Sequence, residues 1–274
     1  MLIKTLVENT SNDCGINCEH GLSLYIKTKD HQILFDTGAS NLFIENANKM
    51  GIDLLNIDIV IISHGHYDHG GGLRDFLNLN DKAKIYLNQK AFGEYYSENR
   101  FKVKRYIGLD QTLIPNERFV FVSDYLSIDQ ELTLYSQMQG QYMNSKSNDS
   151  LYIKLEDGYK KDSFDHEQHL LIKEGNNNVL FMGCGHSGIV NIIEGVQSKY
   201  KLKLTHIIGG FHLYSHSKDE YESAKLIEDI GVYLNHTGII FYTGHCTGIN
   251  AYDMIKKLLH DKINYLSTGT EIEI

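Results

Sequence analysis

The stretch Ile59 to Leu73 constrains this chain more than any other. Ile59, Val60, Ile61 and Ile62 are consecutive β-branched residues, a run that reads as a buried strand too short to be a helix. It leads straight into His64, His66, Asp68 and His69, followed by Gly70, Gly71 and Gly72. Neutral imidazole and carboxylate form the ligand set of zinc and other divalent first-row metals. His64 and His66 flank Gly65, so in an extended turn both side chains point to one side; Asp68 and His69 lie further on and can face a second ion. The glycines let backbone pass close to whatever these side chains hold. A merely histidine-rich surface loop is a poor alternative, because burying such a cluster without partners after an apolar strand is expensive.

The same plan recurs. Strands are expected at 2–7, 22–27 and 32–35, the last running into Asp36-Thr37-Gly38, with a helix from Ser40 to about Met50 stopped by Gly51. A helix begins at Gly72 and a strand follows at Lys84 to Leu87. A hairpin pairs His169 to Ile172 with Val179 to Met182 and delivers Cys184 and His186. Ile189, Ile192, Ile193 and Val196 have helical spacing. Thr205 to Ile208 form a strand before His212, and a helix is expected from about Lys218 to Leu234. Ile239 to Tyr242 form a strand before His245, and Ala251, Met254, Ile255, Leu258 and Leu259 mark the last amphipathic helix. Strands at 263–266 and 271–274 close the chain. Histidines thus follow strands repeatedly, which is how a sheet edge builds a deep polar site.

Residues 90 to 165 are less regular, rich in tyrosine and mixed charge, with a polar run from Asn144 to Ser150. Long irregular stretches inside compact domains often serve as lids or binding loops. The expectation is a single domain over 1–274, with a cap or lid insertion within about 90–165.

The length of 274 residues suits a large core, and 42% hydrophobic with 22% charged residues is ordinary for a globular protein. The net charge of −9, with no basic stripe, argues against nucleic acid as a partner. No apolar run has the length of a membrane span, and no signal-peptide pattern opens the chain. Cys14, Cys18, Cys184 and Cys246 are scattered, and reduced thiols in a cytoplasm are expected. The expected partner is a small molecule, phosphorylated ones included; a homo-oligomer stays open.

Glu19-His20-Gly21, Leu34-Phe35-Asp36-Thr37-Gly38, Gly183-Cys184-Gly185-His186-Ser187-Gly188, Gly209-Gly210-Phe211-His212 and Thr243-Gly244-His245-Cys246 occur in that order around His64-Gly65-His66-Tyr67-Asp68-His69. Together they resemble the metallo-β-lactamase superfamily, in the branch of dihydropterin–ribofuranosylaminobenzene phosphate synthases, many of whose members are described only as metal-dependent hydrolases. The resemblance spans roughly residues 3 to 270. It implies an α/β fold of the αββα-sandwich type and two divalent metal ions, zinc foremost, with iron or manganese compatible. By this likeness His64, His66 and His186 would hold one ion, and Asp68, His69 and His245 the other. Asp36 would orient the histidine loop. Asp68, His20 and His212 would contact substrate or handle protons.

One departure is plain: most superfamily members carry Gly-Asp where this chain has Gly183-Cys184, the carboxylate bridging the metals. A thiolate bridge, a carboxylate from Asp165 or Glu167, or no protein bridge are all open from sequence, as is inert burial of Cys184. The implied activity is attack of a metal-activated water on an ester, phosphoester or lactone-type bond. Carbon–nitrogen bond formation between a dihydropterin and an arylamine ribofuranosyl phosphate is the alternative. A non-catalytic metal-binding sensor is a third reading.

Overall fold

The computed structural model describes residues 1–12, 15–136, 138 and 140–274, so the reading of Cys14 lies outside the described residues. The chain divides into two compact units. One comprises Met1–Gly93, Ile107–Ser123 and Leu266–Ile274, the other Glu94–Tyr106 and Asp124–Tyr265.

The first unit is built on a seven-stranded sheet in the order Glu271–Glu273, Leu2–Val7, Ser23–Lys27, Gln32–Phe35, Ile59–Ile61, Lys84–Asn88, Phe119–Val122. The first three neighbouring pairs are antiparallel and the last three parallel. In the parallel part Phe35 lies beside Ile61, so the segments leaving these two strands, with Asp36 and Ser63, start at one sheet edge. Helix Leu42–Lys49 buries Phe43 and Ala47, and its Asn46 donates to the Leu6 carbonyl at 2.7 Å. The core gathers Leu6, Leu34, Phe43, Val60, Ile62, Phe76 and Ile85. The expected strand and helix positions hold here within a residue or two, because alternating and continuous apolar runs report burial directly.

The second unit has its own seven-stranded sheet, in the order Ile263–Tyr265, Ile240–Thr243, His206–Ile208, Asn177–Phe181, Gln168–Glu174, Leu132–Ser136, Tyr125–Ser127. Asn177–Phe181, His206–Ile208 and Ile240–Thr243 run parallel, with Phe181, Ile208 and Tyr242 in line. Helices Ile189–Tyr200, Ala224–Thr237 and Ile249–Leu259 bury their apolar faces in one cluster with Leu171, Leu180, Ile207 and Phe241. Gly231 lets two of these helices close up: a Cβ there would stand 2.7 Å from Leu258 Cδ1.

One expectation needs correction. The helix placed from Lys218 begins at Ala224, because Glu220–Tyr221 pairs with Tyr214–Ser215 and the Ser223 hydroxyl accepts from Leu226 N–H at 3.3 Å. A side-chain cap of this kind outweighs weak helical periodicity upstream. The polar run before Leu151 is ordered: Lys146–Ser150 forms a 3-10 turn whose Ser147 N–H and Ser145 hydroxyl both donate to the buried Glu222 carboxylate. Within residues 90–165 a four-stranded sheet forms from Gly158–Lys161, Leu151–Leu155, Tyr95–Glu98 and Lys104–Tyr106. Tyr95 is buried there against the His166 ring, with centroids 4.0 Å apart.

Candidate metal centre

In the first unit the histidine loop leaves strand Ile59–Ile61, and His64, His66, Asp68 and His69 are all buried. Asp36 anchors it. Ser63 donates to Asp36 twice, N–H to Oδ1 and Oγ–H to Oδ2, both at 2.7 Å, and His69 Nδ1 lies 2.6 Å from Oδ2. These contacts fix ring chemistry. An ionised carboxylate only accepts, so the single Ser63 hydroxyl proton goes to Asp36. The Ser63 oxygen is then the acceptor for His64 Nδ1–H at 2.9 Å, and the lone pair of His64 falls on Nε2. That nitrogen faces His66 Nδ1 at 3.0 Å. By the same logic His69 donates through Nδ1, and its Nε2 lone pair lies on the side of Asp68 Oδ2, 3.7 Å away. A cation suits this array: each anchored imidazole holds one nitrogen to protein and turns a basic one inward, the usual arrangement of metal-ligating histidine.

Asp36 lies at φ 59, the left-handed region that non-glycine residues seldom occupy, so the surroundings hold it there. His20 Nε2 sits 3.3 Å from Asp68 Oδ2. Each flanking residue has a reason to be there. Glu19 accepts from the Ala39 and Ser40 N–H groups and from the Ser40 hydroxyl. At Gly21 a Cβ would come within 2.7 Å of the Asp68 carbonyl oxygen.

In the second unit Cys184, His186, His212, His245 and Cys246 are buried together. The ligand atoms of Cys184, His186 and His212 lie within 4.8 Å of one another, and so do those of Cys184, His245 and Cys246. They converge because three neighbouring parallel strands end at the same edge, each followed by one of these segments. Ligands commonly sit beyond the carboxyl ends of parallel strands for this reason.

The His186 loop is held from several sides. Glu167 Oε1 accepts from His186 N–H at 2.7 Å and Oε2 from Ser187 N–H at 3.0 Å. Both oxygens of Glu167, one of the bridging alternatives open from sequence, thus accept from backbone N–H groups. Asn148 donates its amide to the His186 carbonyl at 2.8 Å, which turns Asn148 Oδ1 towards His186 Nδ1 at 3.1 Å. His186 then donates through Nδ1 and keeps its lone pair on Nε2. Phe164 stacks on the same ring at 4.4 Å with an interplanar angle of 4°.

His212 and His245 adopt left-handed backbone, at φ 50 and φ 51. Both ring nitrogens of His212 are buried. Burial pushes the Cys246 thiol up, but hydrogen bonding to Cys184 and His212, with the charges of His245 and His212, holds it well below its ordinary range. Phe211 N–H donates to Thr247 Oγ1 at 2.9 Å, and Thr243 Oγ1 lies 2.6 Å from Thr247 Oγ1, tying the His212 and His245 segments together.

Sequence reading missed three of these participants. Cys246 directly follows His245, a signal that was visible and read only as a reduced thiol. Ser63 lay within the motif without an assigned role. Asn148 sits in a polar run and carried no signal.

Comparison with known proteins places these features in context. The family model described as the metallo-beta-lactamase superfamily matches residues 16–102. The solved structure of Tm1679, a metal-dependent hydrolase of the β-lactamase superfamily, is 31% identical and superposes with a TM-score of 0.82, covering 100% of this chain and 99% of that one. A 7,8-dihydropterin-6-methyl-4-(β-D-ribofuranosyl)-aminobenzene-5′-phosphate synthase of Methanocaldococcus jannaschii is 27% identical, over 93% of this chain and 90% of its own. An uncharacterised protein of the same organism is 28% identical over 94% of both chains.

Proposed function

The chain belongs to the metallo-β-lactamase superfamily, and on that premise we propose that it is a metal-dependent hydrolase of an ester, phosphoester or lactone-type bond in a small molecule, phosphorylated substrates included. One observation carries the reading: Asp36 and Ser63 fix the histidine loop so that His64 and His69 turn basic nitrogens inward. The 31% identity to Tm1679 over the whole chain supports the same class.

Divalent ions held by such residues would supply an activated water and an electrophilic clamp on the oxygens of the scissile bond. By the residue-level resemblance His64, His66, Asp68 and His69 of the first unit, and His186 and His245 of the second, would be the metal ligands. Asp68, 3.3 Å from His20, would accept a hydrogen bond from the attacking water and orient it. His20 contacts the substrate, and His212 offers a ring N–H to a developing oxyanion or a proton to the leaving group. The acidic chain makes a nucleic-acid backbone a poor substrate.

A synthase is the second reading, favoured by the full-length likeness to the M. jannaschii enzyme. There the same residues would polarise a dihydropterin diphosphate for arylamine attack. Metal content of wild type and His66→Ala, with rates on phosphodiesters, lactones and dihydropterin diphosphate plus arylamine, separates the readings. Metal-dependent hydrolysis abolished by His66→Ala supports the first. Arylamine-dependent turnover without hydrolysis selects the second, and unchanged metal content in His66→Ala rejects the site itself.

A further inference from the structure

Resting on the reading of a metal-dependent enzyme, we propose that Cys184 and Cys246 both ligate metal as thiolates, with His245 as their imidazole partner. The ligand set is then sulfur-rich where most of the superfamily supplies a carboxylate.

The geometry is local to three loop segments at one sheet edge. Both sulfurs and a ring nitrogen of His245 lie within 4.8 Å of one another. Around one tetrahedral zinc, with Zn–S about 2.3 Å and Zn–N about 2.0–2.1 Å, such atoms stand roughly 3.3–3.8 Å apart, so small side-chain movements suffice. Neither cysteine is disulfide-bonded, and each is buried.

Packing has made room for the second sulfur. A Cβ at Gly210 would stand 2.4 Å from Cys246 Sγ, so only glycine lets this thiol sit where it does. Gly210 N–H is meanwhile held to the Gly183 carbonyl at 2.7 Å, which ties the cysteine-bearing segments into one frame. A cysteine that merely filled core volume would be surrounded by apolar side chains. Cys184 instead belongs, within its own unit, to donor triads with His186 and His212 and with His245 and Cys246. His245 and His212, both in left-handed backbone, each place a ring nitrogen in one of these triads.

Chemistry sets the consequence. On binding, each thiol gives its proton to solvent, and the resulting thiolates are soft donors. Such a set favours zinc over manganese or magnesium, which prefer carboxylate, carbonyl and water oxygens.

X-ray absorption of the full-length zinc-loaded protein, with zinc content measured in parallel, tests this. A sulfur shell at about 2.3 Å is expected beside the nitrogen/oxygen shell at about 2.0–2.1 Å. Cys184→Ser and Cys246→Ser should each lose part of the sulfur shell, and the double variant all of it; Cys18→Ser, at an exposed cysteine, should change nothing. A sulfur shell unaltered in Cys246→Ser overturns the assignment of Cys246. Zinc bound through nitrogen and oxygen alone in the wild type overturns the whole inference, even if the variants fail to fold, and leaves the hydrolase reading standing. Wild-type protein that binds no zinc overturns the inference too, and leaves the hydrolase reading to iron or manganese.

Discussion

The two buried clusters reach similar chemistry by opposite routes. In the first unit the donors are contiguous: His64, His66, Asp68 and His69 lie on one turn after one strand, and a single carboxylate, Asp36, organises Ser63 and His69. In the second unit Cys184, His186, His212, His245 and Cys246 come from segments far apart in the chain. Several separate contacts hold them: Glu167 under two N–H groups, Asn148 on one ring, Phe164 against its face, and Gly210 beneath a thiol. A contiguous cluster depends on few residues and should fail sharply. A gathered one spreads its support and should fail by degrees.

The contrast is sharpest at His66. Replacing it with alanine should lower metal affinity by more than about 100-fold, beyond what supporting residues usually contribute, while thermal melting of the metal-free protein changes little. Isothermal titration with zinc reads it, and affinity within a few-fold of wild type would remove His66 from the ligands.

Asp36→Asn comes next. An amide keeps one acceptor oxygen and turns a donor towards the other bond, so it cannot accept all three bonds from Ser63 and His69; the ring orientations loosen and affinity should drop about 10–100-fold. The same titration on Asn148→Ala, which frees only one ring of the gathered cluster, should show a smaller loss. Equal losses would break the comparison.

Glu167→Gln tests the support beneath His186. The carboxamide presents N–H where one backbone N–H now donates, so unfolding should come about 1–3 kcal/mol more easily. Chemical denaturation measures it, and an unchanged midpoint would mean that the loop finds other acceptors.

The smallest effect concerns acid. Burial holds His169 below its ordinary pKa, opposed by Glu167 at 3.9 Å. A folded-state pKa depressed below the unfolded value of about 6.5 means that the unfolded chain takes up the proton first, so stability is lost as pH falls through about 6.5. From about pH 7.5 to about 5.5 this single group contributes at most about 1.4 kcal/mol of loss. Metal-free wild type and His169→Gln, unfolded in urea at both values, isolate the term. Equal pH dependence in the two would exclude His169 as its source.

Much of the contiguous cluster was readable before any coordinates, because Ile59 to Ile62 declare a buried strand and the ligand types follow without a break. The gathered cluster was readable only in part. His186, His212 and His245 each follow a strand, which the apolar runs disclosed, but nothing in one dimension tells which strand ends lie side by side. Asn148 shows the limit: a polar residue in a polar run becomes a ring-orienting contact only once Lys146–Ser150 coils and docks on Glu222.

The sequence by itself determined the histidine turn, its donor-bearing residue types and the alternation of strands and helices, since these depend on neighbours a few residues apart. Tertiary structure alone decided that Phe181, Ile208 and Tyr242 align in parallel register, that Glu167 accepts from the His186 and Ser187 N–H groups, and that Cys246 joins Cys184 beneath Gly210. The physical reason is one of range. Strand propensity and ligand spacing are short-range properties of the chain, whereas register and close packing emerge only when distant segments exclude water from one another.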